Sequence, residues 1–191
     1  MIREAVKPEN GSQEGKWVGL AIVLILLFAA VALPFHQSET ESVELAAHQV
    51  AISDLAQPEL AMLADIRLAH EEIRNIYLDN LSEAITSEWP EVSELEEMWL
   101  APFVKDKSWQ HKGEHLWFAN NDGGYLGVRQ AQQGSASVIL LSSGDEPEVW
   151  FSYAPVTEGR ALLLAPDLRR TLQDKGWKQL SAAQSHQQHS H

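Results

Sequence analysis

An uninterrupted apolar stretch, residues 17–35, most limits what this chain can fold into, since none of its side chains is charged. A helix rises about 1.5 Å per residue, so a stretch of this length spans the roughly 30 Å hydrocarbon core of a bilayer. A buried helix of a small soluble protein is rarely apolar on every face for so many turns. The stretch therefore predicts a transmembrane anchor, with a short tail (residues 1–16) before it and one domain (residues 36–180) after it.

The distribution of charge predicts which side of the membrane holds the domain. The tail has three basic and three acidic residues, so the whole formal net charge of −13 belongs to the part that follows. The basic residues nearest the bilayer precede the anchor, and the positive-inside rule then places the tail in the cytoplasm. The prediction is a bacterial inner-membrane protein whose domain faces the periplasm. Its acidic character argues against binding to nucleic acid or to anionic lipid.

Cleavage of the apolar stretch as a signal peptide is an alternative, because Ala30-Val31-Ala32 fits a small-x-small cleavage site. The apolar run continues to Phe35 and the tail before it is not net basic, which favours an uncleaved anchor. Either way the domain is exported. It has no cysteine, so its hydrophobic core must hold it together without disulfides.

The first part of the domain has the apolar periodicity of amphipathic helices. We expect a helix over residues 39–56, a long second helix over residues 58–86 and a short acidic helix over residues 90–100. The second is the most strongly patterned, with apolar residues recurring every three or four positions and charges on the other faces. The acidic run from Glu94 to Glu97 is most simply a solvated helix face.

From Trp109 onward the period changes to two, which predicts strands over residues 115–119, 125–129, 137–141 and 149–153. Tight turns join them, so the expected fold class is α+β with a four-stranded antiparallel β-meander. A C-terminal helix is expected over residues 166–175, and Gly176 would end it. Residues 161–164 fit a strand or a helix start, and residues 177–180 fit a strand that closes the sheet. Residues 181–191 are polar and aperiodic, which predicts a disordered tail.

The C-terminal tail contains the most suggestive side chains for chemistry, namely His186, His189 and His191. Neutral imidazole is a good ligand for Zn²⁺, and a flexible segment with three imidazoles can wrap one ion. A solvated tail with incidental histidines is the alternative. Bound metal on such a tail suits capture or sensing better than catalysis.

His111 and His115 form a second candidate metal pair. Two histidines four apart can share a metal on a helix, but here a strand follows and Gly113 lies between them. Ordinary hydrogen bonds at the start of the strand are the simpler interpretation. His70 lies on the apolar stripe of the second helix, where a core histidine satisfied by a hydrogen bond is expected. No catalytic cysteine, nucleophile elbow or phosphate-binding loop is present, which favours a non-enzymatic protein.

The aromatic and glycine pattern resembles a family of uncharacterised single-pass proteins of Gram-negative bacteria. The resemblance rests on Trp89-Pro90, Ala101-Pro102-Phe103, the segment from Trp109 to Trp117, and Tyr125-Leu126-Gly127. Members are typically encoded beside zinc-type metal ABC importers, so the resemblance implies a role in metal acquisition and transporter components as partners. The order of elements is also similar to that of type IV pilins, but the pilin glutamate in the apolar run is missing.

Two hypotheses of function follow. In the first, the protein is an anchored periplasmic accessory of zinc acquisition that binds or passes on the ion. In the second, it is an envelope scaffold or assembly protein that docks onto partners through its helices.

Overall fold

The computed structural model describes residues 12–36 and 45–181, and within the first helix it describes the side chains of residues 15–29. Helix α1 (Ser12–His36) belongs to a compact unit of its own, and its large apolar side chains from Trp17 to Phe28 are exposed. Among the described residues, no helix has both the length and the apolar character that crossing a membrane requires. The predicted anchor extends past the last described side chain of α1, and most of the predicted tails lie outside the described residues.

The second unit is an α+β domain, as expected from the sequence. Its helices and strands, in chain order, are β1 (Gln49–Val50), a 3₁₀ turn (Ile52–Asp54), α2 (Gln57–Ser82), α3 (Val92–Glu97), α4 (Lys107–Lys112), β2 (Leu116–Ala119), β3 (Gly124–Val128), β4 (Ser137–Leu141), β5 (Glu148–Ser152), α5 (Arg160–Leu163), α6 (Leu168–Asp174) and β6 (Lys178–Leu180).

The sheet is larger than the predicted four-stranded meander. Strands β2 to β5 do form an antiparallel meander, with Trp117 opposite Gly127 and Ile139 opposite Trp150. Strand β6 adds to β5 in antiparallel fashion, and β1 pairs with β6 in parallel. The result is one six-stranded mixed sheet in the order β1-β6-β5-β4-β3-β2. The strand expected over residues 177–180 is confirmed as β6, but it does not close the sheet, because β1 pairs with its other side.

Helices cover both faces of this sheet. On one face α2 and α3 contribute Met62, Ile66, Ile73 and Leu95 to a core that also contains inward side chains of the strands. On the other face α5 and α6 contribute a second core around Trp150. Because both faces are buried, β3 has no exposed residue and reads as a continuous buried run.

The helix expected over residues 39–56 is wrong in the part that the structure describes, since Gln49 and Val50 form a strand there. Backbone hydrogen bonds hold this strand to β6, with Gln179 N donating to His48 O at 2.7 Å. The local apolar spacing fits a helix, but pairing with a strand far along the chain competes with it and wins. The segment 39–44 lies outside the described residues.

The other helices are close to expectation, with one omission. The long helix α2 ends at Ser82 instead of residue 86, and α3 is shorter than the predicted 90–100. Residues 161–164, which fitted a strand or a helix, belong mostly to α5, and α6 is the expected C-terminal helix. Helix α4 was not predicted. It is capped by Asp106, whose carboxylate accepts from Trp109 N at 2.8 Å.

Candidate functional site

A groove lies along strand β2, which forms one edge of the described sheet. We call it the β2 groove. It encloses about 300 Å³ between residues 88–93 on one side, residues 117–121 of β2 and the following turn as its floor, and Arg160 of α5. The groove therefore crosses the sheet edge from one helical layer to the other.

The hydrogen bonds of the neighbouring turn show which backbone groups of β2 face the groove. Asn120 N donates to Gly124 O at 3.0 Å, so Asn120 and Gly124 are a hydrogen-bonded pair. Such pairs alternate along an antiparallel ladder, and Phe118 opposite Leu126 is the next one. The N–H and C=O groups of Trp117 and Ala119 then point away from β3. Elsewhere in the described chain no backbone group pairs with them.

Natural edge strands usually carry a lysine, a proline or a bulge that prevents further pairing. Strand β2 reads Leu-Trp-Phe-Ala, and its register with β3 continues without interruption. Nothing in the strand itself therefore blocks the addition of another strand. The groove beside it provides the room.

Trp117 of strand β2 has a buried indole N–H without a partner among the described residues. Trp117 is only 8% exposed and lines the groove, yet its Nε1 has no hydrogen-bond partner among the described residues. An unpaired buried N–H costs free energy in the folded state. The ring is held between Phe103, with centroids 4.8 Å apart, and the backbone of Gly127.

The wall opposite β2 is fixed to the core and is acidic. Tyr125 OH donates to Pro90 O at 2.8 Å, and Trp89 stacks on Tyr77 with ring centroids 3.9 Å apart. Burial raises the pKa of Tyr125, and the negative charge of Glu94 raises it further, so the hydroxyl stays a donor. Glu88 and Glu91 lie on this wall and are exposed.

A protein-family model described as a family of unknown function (DUF6162) matches residues 49–185. The chain belongs to this family. The matched region begins at β1 and contains the whole six-stranded sheet and the β2 groove, and α1 precedes it. No curated protein and no solved structure matches the chain significantly.

His115 lies in the core of the DUF6162 domain, beside a second and smaller cavity. This cavity of about 90 Å³ lies between α2, α4 and the loop before α4, and its wall includes Met62, Trp99, Trp109 and the ion pair of Asp65 with Lys112. It has room for about three waters, far less than a cofactor pocket requires.

The hydrogen bonds of His115 define its protonation. Nε2 donates to Ala136 O at 3.0 Å, and Nδ1 has no partner among the described residues. Burial lowers the pKa of His115, and the charge of Arg129 lowers it further, although the bond to Ala136 acts in the opposite direction. Burial thus favours the neutral ring, in which Nδ1 has the lone pair.

The structure places the two histidines of the predicted metal pair in different environments. His111 is exposed on α4, whereas His115 is 1% exposed. Within the described residues, no group of three or more histidine, aspartate or glutamate side chains is arranged to hold a metal ion. His186, His189 and His191 lie outside the described residues, so the zinc site on the tail remains a prediction.

His70 is the core histidine that the sequence predicted, with two hydrogen bonds in place of one. Its Nε2 donates to Asp145 O at 3.1 Å, and its Nδ1 pairs with Ser142 Oγ at 3.2 Å. One turn further along α2, Arg74 donates to Gly144 O at 2.5 Å and to the Asp145 carboxylate at 2.7 Å. Both side chains fasten the β4–β5 turn to α2, so this serine–histidine pair is structural.

Sequence reasoning missed the β2 groove. The predicted meander places β2 at one end of the sheet. The groove exists because residues 88–93 lie beside this edge in the folded chain, which the sequence does not predict. One signal was available: residues 75–104 contain seven carboxylate side chains and no lysine or arginine. The densest part of this stretch, Glu94 to Glu97, fits an ordinary solvated helix face equally well.

Proposed function

We propose that this protein is a non-enzymatic docking protein of the bacterial envelope, whose domain binds an extended segment of a partner along β2. The observation that carries the proposal is the pair of outward N–H and C=O groups on Trp117 and Ala119, which face a groove of about 300 Å³. A segment bound there would add a strand to the sheet. Its main-chain hydrogen bonds would supply affinity, and side-chain contacts in the groove would supply specificity.

The place of action is part of the proposal. The apolar residues 17–35 and the neutral tail before them support an inner-membrane anchor with the domain in the periplasm. A docking protein held at the membrane meets membrane partners at a high effective concentration. Components of a metal ABC transporter are the partners that the sequence resemblance implies.

Removing one N–H tests the docking site with little other change. Ala119→Pro deletes the outward N–H of Ala119 and leaves the ladder to β3 intact, because an edge strand tolerates proline where its N–H faces outward. Ala119→Ser is the matched control, since it keeps the N–H. Heptapeptides selected from a random displayed library on the full chain in detergent micelles are then measured by fluorescence anisotropy against all three proteins.

The proposal expects the selected peptides to bind wild type and Ala119→Ser alike and to bind Ala119→Pro at least about tenfold more weakly, or about 1.4 kcal/mol. Circular dichroism checks that the proline variant is folded. If no peptide is selected, or if folded Ala119→Pro binds the peptides as wild type does, docking at β2 is wrong.

Zinc handling by the C-terminal tail is the second candidate function. Three histidines within six residues support it, and the net charge of −13 would raise the local concentration of cations. The test is a zinc titration of the full chain beside a version ending at Gln184, each against a competing chelator dye. Tight binding that is lost with the tail supports this function. No binding tighter than about 10⁻⁴ M, or about −5.5 kcal/mol, rejects it.

A further inference from the structure

We infer that the segment bound in the β2 groove is a basic one, an extended strand whose lysine or arginine side chains face Glu88 and Glu91. The inference rests on the proposed docking function and specifies the chemistry of the partner. Three observations carry it: the acidic stretch that forms one wall, the absence of ion pairs to that wall within the described chain, and the free strand edge beside it.

The acidic stretch is the most one-sided part of the sequence. Residues 75–104 contain no basic residue and seven acidic ones, namely Asp79, Glu83, Glu88, Glu91, Glu94, Glu96 and Glu97. They account for more than half of the net charge of −13. A segment that enters beside this stretch moves through a negative potential, which favours a cationic partner.

The carboxylates on the groove wall are not neutralised by the described part of the chain itself. Of the seven, Glu96 is the one with an ion pair there, at 3.5 Å from Lys105. Glu88 and Glu91 are exposed and have no ion pair among the described residues. Like charges in one wall repel each other, so a bound lysine or arginine would relieve that repulsion.

The acidic wall by itself would attract any cation. The unpaired backbone groups of β2 beside it can also bind the main chain of an extended segment, so the two together favour a basic segment. Side chains of an added strand alternate between the two faces of the sheet. Every second side chain would face Glu88 and Glu91, and the others would face the layer of α5, where Arg160 lines the groove.

Four blocked peptides of about seven residues, a typical strand length, test the inference. In the first, lysine alternates with valine. In the second and third, glutamine or glutamate replaces lysine. In the fourth, proline replaces valine, which keeps the charge but prevents strand pairing. Each peptide is titrated by fluorescence anisotropy against the full chain in a neutral detergent, at low and at high salt.

The lysine–valine peptide is expected to bind at least about tenfold more tightly than the glutamate–valine peptide at low salt, as two exposed charge contacts would give. Salt should reduce the difference, because exposed charges are screened over about 10 Å at 0.1 M. The lysine–proline peptide should bind at least about tenfold more weakly than the lysine–valine peptide.

Paired substitutions locate the charge effect. Glu88→Gln with Glu91→Gln removes two carboxylates from the groove wall and should weaken the lysine–valine peptide about fivefold, as expected for two exposed contacts. Glu83→Gln with Glu97→Gln removes two exposed carboxylates that do not line the groove. Both double variants change the net charge equally, so a loss confined to the first pair assigns the effect to the groove.

The outcomes separate this inference from the docking function beneath it. If the lysine, glutamine and glutamate peptides bind equally and Ala119→Pro abolishes binding of all three, docking stands and the basic partner is rejected. Equal losses in the two double variants also reject it, because charge alone would then attract the peptide. If the lysine–proline peptide binds as tightly as the lysine–valine peptide, strand addition fails and the inference fails with it.

Discussion

The indole ring of Trp117 lies against the backbone of its cross-strand partner Gly127, with no room for a side chain between them. A Cβ atom at position 127 would lie 2.9 Å from both Cζ2 and Cη2 of the ring. The close approach keeps Trp117 seated between β3 and Phe103 and so fixes the buried edge of the β2 groove.

Gly127→Ala should therefore destabilise the domain by about 1–3 kcal/mol, the usual cost of overpacking a rigid core site. Urea unfolding followed by tryptophan fluorescence measures the change. Gly144→Ala is the control, because a Cβ there meets only Glu146 O at an ordinary 3.4 Å and should change stability by less than about 0.5 kcal/mol. Equal stabilities of the two variants would show that Trp117 moves aside freely.

The cap that follows helix α2 holds an alanine in a conformation that favours glycine, since Ala84 has a φ of +55°. Ile85 N donates to Asn80 O and Ala84 N to Leu81 O, which is the pattern of a Schellman cap, where glycine is the favoured residue. We expect Ala84→Gly to stabilise the domain by about 1 kcal/mol, because it removes the left-handed penalty of a side chain.

The control for this prediction is a glycine in the same helix where the backbone is regular. Ala64→Gly, at an exposed position inside α2, should destabilise the domain by about 1 kcal/mol. Thermal unfolding of the two variants should then shift in opposite directions. A shift to lower temperature in both would mean that Ala84 carries no strain.

His115 should make the domain less stable in mild acid. Its pKa is lowered in the fold, mainly by burial, so the unfolded chain takes up a proton more readily than the folded one. Stability is therefore highest above the ordinary histidine pKa of about 6.5 and falls as the pH drops below it. His115→Gln, which keeps a donor for Ala136 O, should flatten this part of the curve of unfolding free energy against pH. Parallel curves for wild type and variant would contradict the assignment.

His70 and Ser142 should act as one structural unit. Both are fully buried and joined at 3.2 Å, so removing either partner leaves the other with an unpaired polar group. We expect His70→Leu and Ser142→Ala each to cost about 1–3 kcal/mol, and the double variant to cost less than the sum. Unfolding in urea gives the coupling energy. Strict additivity would mean that the hydrogen bond contributes nothing.

The sequence was sufficient for elements whose periodicity and packing agree. Helix α2 has a clear apolar stripe, and Ile66 and Ile73 on that stripe are fully buried in the structure. The turns that join β2 to β5 carry glycine, asparagine and aspartate where the chain reverses. The turn residues and the strand periodicity agree with the pairing of neighbouring strands in the fold, so the meander could be predicted.

The sequence was not sufficient where pairing between residues far apart in the chain decides the structure. Gln49 and Val50 have a helical spacing around them, but their partners Gln179 and Leu180 lie at the other end of the domain. The β2 groove has the same origin, because residues 88–93 and 117–121 approach each other only in the folded chain. The seven carboxylates of residues 75–104 indicate an acidic surface from the sequence alone. The sequence does not indicate that strand β2 lies opposite them.

The exchange of the Ala119 backbone N–H with deuterium, in the full chain with and without the lysine–valine peptide, tests docking at β2 most directly. We expect exchange at Ala119 to slow at least about tenfold on binding, because its N–H gains an acceptor. The N–H of Phe118, already bonded to β3, should change little. Unchanged exchange at Ala119 with the peptide bound would mean that the peptide does not pair with β2.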